Sequence, residues 1–224
     1  MRIVHQTSST PQEYEARRAG HLHRRRVELI SSAIRKRPHV RSVLEIGCGT
    51  GAVLRDVGRQ LPMIAFQGID LDPSHITYAE RQQSPSNLRY SVGDLTTDAQ
   101  MDYDFIYSID VIHHLAAPLD GFRAIRSRLT DAGCWLLVEP NIWHPYVAWL
   151  QESMKRAGLG EDHFRPWQLI PEMRSAGLRV AEHHFMHFWP GTITEPTPLM
   201  RRVEHVVERV PMLGGSAVYL LIAA

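Results

Sequence analysis

The 224 residues (25.6 kDa) fit one domain, with or without a small cap. A hydrophobic content of 44% supplies a core and excludes a disordered chain, and 25 basic against 24 acidic side chains exclude a globally basic nucleic-acid binder. The two cysteines, Cys48 and Cys134, make no disulfide framework and favour reduced thiols in a cytoplasmic protein. No apolar run reaches the roughly 18 residues of a membrane span, and the N-terminus lacks the apolar region of a signal peptide, so no membrane partner is predicted.

The first 40 residues are predicted to form an N-terminal helical lid. Thr10, Pro11 and Glu13 form a helix start with a capping box, so the pattern predicts a helix over 11–36 that ends before Pro38. This segment carries nine basic and three acidic side chains. That excess is typical of a solvated helix face, or of a docking site for a phosphate-bearing acceptor, a carrier protein or RNA.

From residue 41 onwards, apolar runs alternate with helical patterns. Strands are predicted at 42–46, 63–70, 87–94, 103–110 and 134–140. Helices are predicted between them, at 52–61, 73–83 and 119–129. The alternation predicts an α/β fold: a doubly wound, mostly parallel sheet with helices on both faces, in one domain spanning 41–224.

The last third has a different pattern. It contains an aromatic-rich cap at about 141–165 with a helix over 145–157, and further helices are predicted at 166–176 and 199–210. Two final strands, 178–189 and 216–223, are joined by a long connection, which suggests an antiparallel hairpin at the sheet edge. The prediction is therefore a sheet of seven strands with an antiparallel last strand.

A glycine-rich turn stands between the first predicted strand and its helix. Gly47, Gly49 and Gly51 allow the backbone to turn sharply and a ligand to lie against it. The turn also matches the fingerprint of dinucleotide sites. Glu45, directly before it, would repel a pyrophosphate but suits a cationic ligand. A carboxylate at a strand end, such as Asp70, is placed to accept both ribose hydroxyls.

Several segments in series resemble the class I S-adenosylmethionine-dependent methyltransferases. They are VLEIGCGTG, GIDLDP, VGDL and YDFIYSIDVIHHL, and LTDAGCWLLVEPN is similar to the family's fifth-strand segment. In that last segment Asp131-Ala-Gly133 replaces the usual Pro-Gly-Gly turn. The resemblance is close over 42–140 and implies S-adenosylmethionine as the cofactor of a small-molecule type of methyltransferase.

The resemblance also implies roles for single residues around the cofactor. The methionine part of the cofactor is expected at the three glycines of the turn, with its amino group near Glu45. The nucleoside part is expected at the following strand ends, where Asp70 holds the ribose and Asp94 binds the adenine amino group. The remaining cofactor contacts are expected from Leu71, Leu95 and Ser108.

Histidines and aromatic residues supply the candidates for catalysis and acceptor binding. His113 and His114 follow the fourth strand, so either is a candidate general base, and otherwise the pair packs or hydrogen-bonds. The acceptor is expected to contact residues of the lid and the cap, namely Tyr14, His21, Trp143, His144 and Tyr146. No metal site is predicted, because neighbouring histidines on the strand at 178–189 point to opposite faces and no pair has ordinary metal spacing.

The predicted reaction is methyl transfer to oxygen, nitrogen or carbon of a small organic acceptor, as in secondary metabolism. Signatures for adenine-N6 and cytosine-C5 methylation are absent after the fourth strand, which disfavours a nucleic-acid base as acceptor. A methyltransferase acting on RNA or protein remains an alternative because of the basic lid. A nicotinamide-dependent oxidoreductase and a non-catalytic cofactor-binding regulator are further alternatives.

Overall fold

A computed structural model describes residues 10–94, 102–115, 117–158, 165, 167–191, 193–211 and 213–223. The first half contains helices α1 (Pro11–Arg18), α2 (His21–Arg35), α3 (Ala52–Gln60) and α4 (Pro73–Arg81), and strands β1 (Ser42–Ile46), β2 (Ala65–Asp70) and β3 (Leu88–Val92). The second half contains β4 (Tyr103–Ile109), a 3-10 turn (Ile112–His114), α5 (Pro118–Arg126), β5 (Leu129–Pro140), α6 (Pro145–Arg156), α7 (Ile170–Ser175), β6 (Leu178–Met186), α8 (Pro198–Val207) and β7 (Ser216–Ala223). Leu95 and residues 159–164 of the expected cap lie outside the described residues.

The seven strands form one sheet in the order β3-β2-β1-β4-β5-β7-β6. The first five pair in parallel, and β7 runs antiparallel to both β5 and β6. The predicted fold class is therefore confirmed. The last two strands form the expected antiparallel pair at the sheet edge, with β7 between β5 and β6 and with β6 as the edge strand. Central placement suits β7, whose apolar residues are buried on both faces.

Two apolar layers cover the sheet. On one face, α2 and α3 pack over the sheet through residues such as Ile30 and Leu54. On the other face, α5 and α7 do so through Phe122 and Met173. Because β7 is antiparallel to both β5 and β6, β6 runs in the same direction as the first five strands. These six strands end at the same edge of the sheet, where ligands of such folds bind.

The N-terminal segment forms two helices, so the prediction of one helix over 11–36 is wrong. The capping box of Thr10 and Glu13 is present and starts α1 as predicted. The chain then turns at Gly20, whose φ of 106° is accessible to glycine and breaks the helix. α2 begins at His21 and buries Val27, Ile30 and Ile34.

Two strand boundaries differ from the prediction by a few residues. β5 begins at Leu129, because its first residues pair with β4 before a register shift between Tyr103 and Phe105. β6 ends at Met186, because the next residue, His187, has a left-handed backbone with a φ of 63° that stops the strand.

No helix among the described residues is long and apolar enough to cross a bilayer.

Candidate active site

The glycine turn follows β1 at the carboxyl edge of the sheet. Gly47, Gly49 and Gly51 have φ angles of 66°, 52° and 70°, which side chains rarely allow. A Cβ on Gly47 would lie 2.5 Å from Cγ2 of Val111. The turn therefore presents bare backbone where the cofactor is expected, as the sequence predicted.

Glu45 is the last but one residue of β1 and is only 4% exposed. Its Oε2 accepts a hydrogen bond from the hydroxyl of Tyr107 at 3.1 Å. Burial, then the charges of Glu45 and Asp70, raise the pKa of the Cys48 thiol well above its usual value. Cys48 therefore stays protonated, and the negative charge at this edge of the sheet comes from carboxylates.

Asp70 ends β2 and supports the glycine turn directly. Its Oδ2 accepts the amide N–H of Gly49 at 2.7 Å, and its Oδ1 accepts the amide of Asp72 at 2.9 Å. Each carboxylate oxygen has a second lone pair, so ribose hydroxyls can still bind there. Leu71 follows with 40% of its surface exposed, and Asp94 stands two residues after the end of β3, partly exposed. These positions fit a nucleoside lying across the ends of β2 and β3.

Ser108 lies in the interior rather than at the site. Its side chain is fully buried, and its Oγ accepts a hydrogen bond from Nε1 of Trp135 at 3.1 Å. The alternation of side chains along β4 directs it into the sheet's apolar layer. A direct contact with the cofactor, which the resemblance implied, is therefore not part of our proposal.

His113 is anchored by a carboxylate that the sequence reasoning missed. Its Nδ1 lies 2.7 Å from Oε2 of Glu139, and both side chains are about 95% buried. The other oxygen of Glu139 accepts the amides of Val111 and Ile112 at 3.1 and 2.8 Å. The ring of His114 stacks at a tilt, 4.2 Å from that of His113. The missed signal was an acid at the end of β5, in the same kind of position as Asp70 on β2.

A cavity of about 360 Å³ opens between α1, α2 and the glycine turn. Its lining includes Glu45, Gly47 and Arg26. The guanidinium of Arg26 donates from Nη2 to Oδ2 of Asp110 at 2.6 Å, while its buried Nε has no hydrogen-bond partner among the described residues. A buried cation beside a buried carboxylate, Glu45, suits a ligand with both an ammonium and a carboxylate. Arg26 is therefore a candidate that sequence reasoning had treated only as part of a basic run.

Helix α1 covers the turn from above. A Cβ on Gly49 would lie 3.1 Å from the ring of Tyr14, and that ring also packs 4.8 Å from the ring of His75 on α4. Glu15 pairs with the buried Arg55 of α3 at 2.7 Å. A ligand that reaches the backbone of Gly49 must therefore displace Tyr14.

A family model described as a methyltransferase domain matches residues 44–135, the stretch that carries the glycine turn, both strand-end acids and the two histidines. Residues 44–135 are therefore similar to a methyltransferase domain. S-adenosylmethionine is its expected cofactor. The positive φ angles of the turn and the carboxylates at the ends of β1, β2 and β3 fit that molecule, which is cationic at its sulfur.

Curated relatives of this methyltransferase domain match only in part. A malonyl-[acyl-carrier protein] O-methyltransferase from Halalkalibacterium halodurans is 28% identical over 127 residues, 53% of this chain and 47% of the relative. A trans-aconitate 2-methyltransferase from Deinococcus radiodurans is 30% identical over 79 residues, 35% of this chain and 30% of the relative. The chain thus spans less than half the length of these relatives.

Solved structures share the fold over nearly the whole chain. A complex between the Haloferax volcanii Trm112 methyltransferase activator and a methyltransferase contains a chain with a TM-score of 0.66 and 19% identity, covering 95% of this chain and 93% of that one. A TehB-like S-adenosylmethionine-dependent methyltransferase from Corynebacterium glutamicum has a TM-score of 0.57 and 20% identity, covering 89% of this chain and 87% of that one. At these identities the likeness concerns the fold.

The predicted acceptor residues lie in different places: Tyr14 is at the glycine turn, whereas His21 and His144 are neighbours of His187. His21 is buried, and its Nε2 lies 2.6 Å from Oε2 of Glu204. The ring of Trp143 packs edge-on, 4.8 Å from that of Trp167. His144 is buried near Phe188, and both its ring nitrogens lack a hydrogen-bond partner among the described residues.

Tyr146 lies on α6, a helix whose residues are all described and none of which is buried. It packs 5.9 Å from the ring of Trp149, which is 62% exposed. Because α6 follows β5, its exposed aromatic side chains lie on the carboxyl-edge side of the sheet. Of the cap residues, those on α6 are placed best to meet a ligand.

The arginines at the start of α2 are held by carboxylates of the same chain. Arg24 pairs with Glu195 at 3.0 Å, Arg25 with Glu204 and Glu208 at 3.0 and 2.8 Å, and Arg26 with Asp110 at 2.6 Å. These pairs favour the interpretation of the basic run as a structural network over a docking site for RNA.

Proposed function

We propose that this protein transfers the methyl group of S-adenosylmethionine to a small organic acceptor. The observation that carries the proposal is the convergence of the glycine turn, Glu45, Asp70 and Asp94 at one edge of the sheet, next to an anchored histidine, His113. The cofactor supplies an activated methyl group on sulfur, so the protein's task is to bind, align and remove a proton.

In this proposal the protein binds both ends of the cofactor with charged groups. Glu45 meets the ammonium and Arg26 the carboxylate of its methionine part, since both line the cavity beside Gly47. Asp70 holds the ribose, and Asp94 accepts from the adenine amino group. Leu71, exposed at the end of β2, lies against the adenine.

His113 is the candidate general base. A carboxylate only accepts hydrogen bonds, so Glu139 fixes the proton of His113 on Nδ1 and leaves the lone pair on Nε2. This is the tautomer that a base needs, and Glu139 would stabilise the imidazolium that forms. His114, stacked on His113, is the second candidate.

Helix α1 acts as a lid in this proposal. Tyr14 and Glu15 hold α1 over the glycine turn by contacts with α4 and α3, so α1 opens for the cofactor to enter and closes over it afterwards. Closure excludes water from the transfer, while α6 and its exposed aromatics form the acceptor side.

A carrier-protein or other macromolecular acceptor is the second candidate. It is favoured by the longest of the reported curated matches, a relative named for an acyl-carrier-protein substrate. The pairing of Arg24, Arg25 and Arg26 within the chain weighs against an extended docking surface at the lid.

Calorimetry with S-adenosylmethionine, its demethylated product and NAD tests the cofactor assignment. We expect the first two to bind in the micromolar range and NAD not to bind. Transfer of a labelled methyl group in a cell extract, followed by size fractionation, then tests the acceptor. Label in the small-molecule fraction supports our proposal, and label only in protein or RNA contradicts it. NAD binding without S-adenosylmethionine binding would overturn the whole assignment.

A further inference from the structure

Three potential metal ligands meet in a buried cluster and are not among the lining residues of the cavity at the glycine turn. They are His21 at the start of α2, His187 directly after β6, and Glu204 on α8. All three are buried, and their ligand atoms lie within 4.8 Å of one another. The cluster joins the N-terminal lid to the last third of the chain.

The two histidines are bonded very differently. Nε2 of His21 lies 2.6 Å from Oε2 of Glu204. Nδ1 of His187 lies 3.5 Å from Oε1 and makes no hydrogen bond with any described residue. Its backbone also has a φ of 63°, a conformation that costs a non-glycine residue energy and is often kept at functional sites. A buried ring nitrogen that makes no hydrogen bond calls for an explanation, and a bound ion would provide one.

A second buried histidine, close to His187, also lacks hydrogen bonds from its ring to the described residues. His144 has both ring nitrogens buried without a hydrogen-bond partner among the described residues. His144 and His187 thus both have buried ring nitrogens that form no hydrogen bond with the described residues.

The surrounding charges suit a cation. Arg25 bonds to both Glu204 and Glu208, so two carboxylates surround one guanidinium and leave a net negative charge when the histidines are neutral. The amide of Phe188 also donates to Oε1 of Glu204 at 3.0 Å. Carboxylates that bind metals are themselves hydrogen-bonded in this way, which orients them.

We propose that His21 Nε2, His187 Nδ1 and the Glu204 carboxylate bind a zinc-class divalent cation. Imidazole and carboxylate ligands are typical of such ions, with metal–ligand bonds of roughly 2.0–2.2 Å. The ion would replace the shared proton between His21 and Glu204 and satisfy His187. It would tie α2 to the end of β6 and to α8, so it stabilises the folded chain whatever the acceptor.

The test uses the full chain, free of any affinity tag and treated with a chelator. Zn²⁺ is titrated in competition with a chromophoric chelator. We expect one equivalent to bind and to raise the melting temperature. His187→Asn keeps a residue that tolerates positive φ. It should weaken Zn²⁺ binding by more than roughly 100-fold, which is the upper loss seen when a residue that only hydrogen-bonds to a metal ligand is replaced. His205→Asn, on the exposed side of α8 next to Glu204, is the matched control and should bind like the wild type.

The wild-type protein alone can also overturn the proposal. Co²⁺ bound by these three side chains at low coordination number should give intense visible absorption bands. Co²⁺ that is coordinated mainly by water gives only weak bands. Absence of one-equivalent Zn²⁺ binding by the wild type overturns the proposal. So does Zn²⁺ affinity that is equal in the wild type and His187→Asn. Neither readout depends on methyl transfer, so the methyltransferase proposal stands or fails separately.

Discussion

Glu139 at the end of β5 holds the ring of His113 through a 2.7 Å contact between Oε2 and Nδ1. The same carboxylate accepts the amides of Val111 and Ile112 with its other oxygen, so it fixes both the ring and the turn that carries it. The position of His113 is thus fixed by the neighbouring strand of the sheet.

The base assignment predicts distinct effects on turnover. His113→Ala should lower kcat by roughly 10²- to 10⁴-fold, the range of general-base catalysis. Glu139→Gln should also lower kcat, because Gln can offer His113 an N–H and favour the wrong tautomer. The loss should be smaller than in His113→Ala, because the imidazole is still present. The affinity for S-adenosylmethionine should stay within about twofold in both. Losses under about fivefold in both His113→Ala and His114→Ala would remove both as bases and favour a nucleophilic nitrogen or carbon acceptor.

The cofactor site predicts the effect of removing Asp70. Asp70→Ala should weaken S-adenosylmethionine binding by roughly 1.5–3 kcal/mol, the range for hydrogen bonds to a charged group. Asp120→Ala, which changes an exposed carboxylate on α5, is the control and should bind normally. Calorimetry gives both affinities, and an unchanged affinity in Asp70→Ala would place Asp70 outside the ribose site.

Arg26 predicts discrimination between two forms of the cofactor. Wild-type protein should bind S-adenosylmethionine roughly 10-fold or more tightly than its decarboxylated analogue, because a charged hydrogen bond is lost. In Arg26→Gln the two should bind equally. If Arg26→Gln still binds S-adenosylmethionine more tightly than the decarboxylated analogue, another group recognises the carboxylate. Circular dichroism is the control for folding, since Asp110 loses its partner in this variant.

The lid predicts a kinetic effect at Tyr14. Tyr14→Ala removes the ring that packs on Gly49 and on His75. Exchange of S-adenosylmethionine, followed by stopped-flow fluorescence, should therefore become faster, while stability falls little because Tyr14 is only partly buried. Slower or unchanged exchange would show that α1 does not control entry.

Asp104, at the start of β4, predicts how stability depends on pH. Its Oδ2 accepts the amides of Arg41 and Ser42 at 2.8 and 3.1 Å. Burial alone would raise the pKa of Asp104, but these bonds outweigh it and lower the pKa. The stabilisation is thus complete above the unfolded value of about 3.9 and is lost as the pH falls through the lower, folded value.

Asp104→Asn should therefore lower the free energy of unfolding by roughly 1 kcal/mol at pH 7, a figure discounted for solvent exposure. The difference from wild type should shrink in urea titrations below about pH 4. A difference that stays constant down to pH 3 would argue against an ionised Asp104 as its source.

The sequence alone determined the sheet and the cofactor edge, because both rest on local patterns. Glycines between a strand and a helix, and acids at strand ends, are fixed by neighbours along the chain, so Gly47, Gly49, Asp70 and Asp94 were placed correctly at one edge. The break at Gly20 was missed because the capping box and the apolar stripe of 11–36 are both compatible with one helix.

Only the tertiary structure decided which polar groups meet. His21 and Glu204 are 183 residues apart, yet they share a 2.6 Å contact because α2 and α8 pack beside the end of β6. Glu139 reaches His113 because β4 and β5 are neighbours in the sheet. Spacing along the chain carries no information about such pairs, since packing, not sequence distance, brings their elements together.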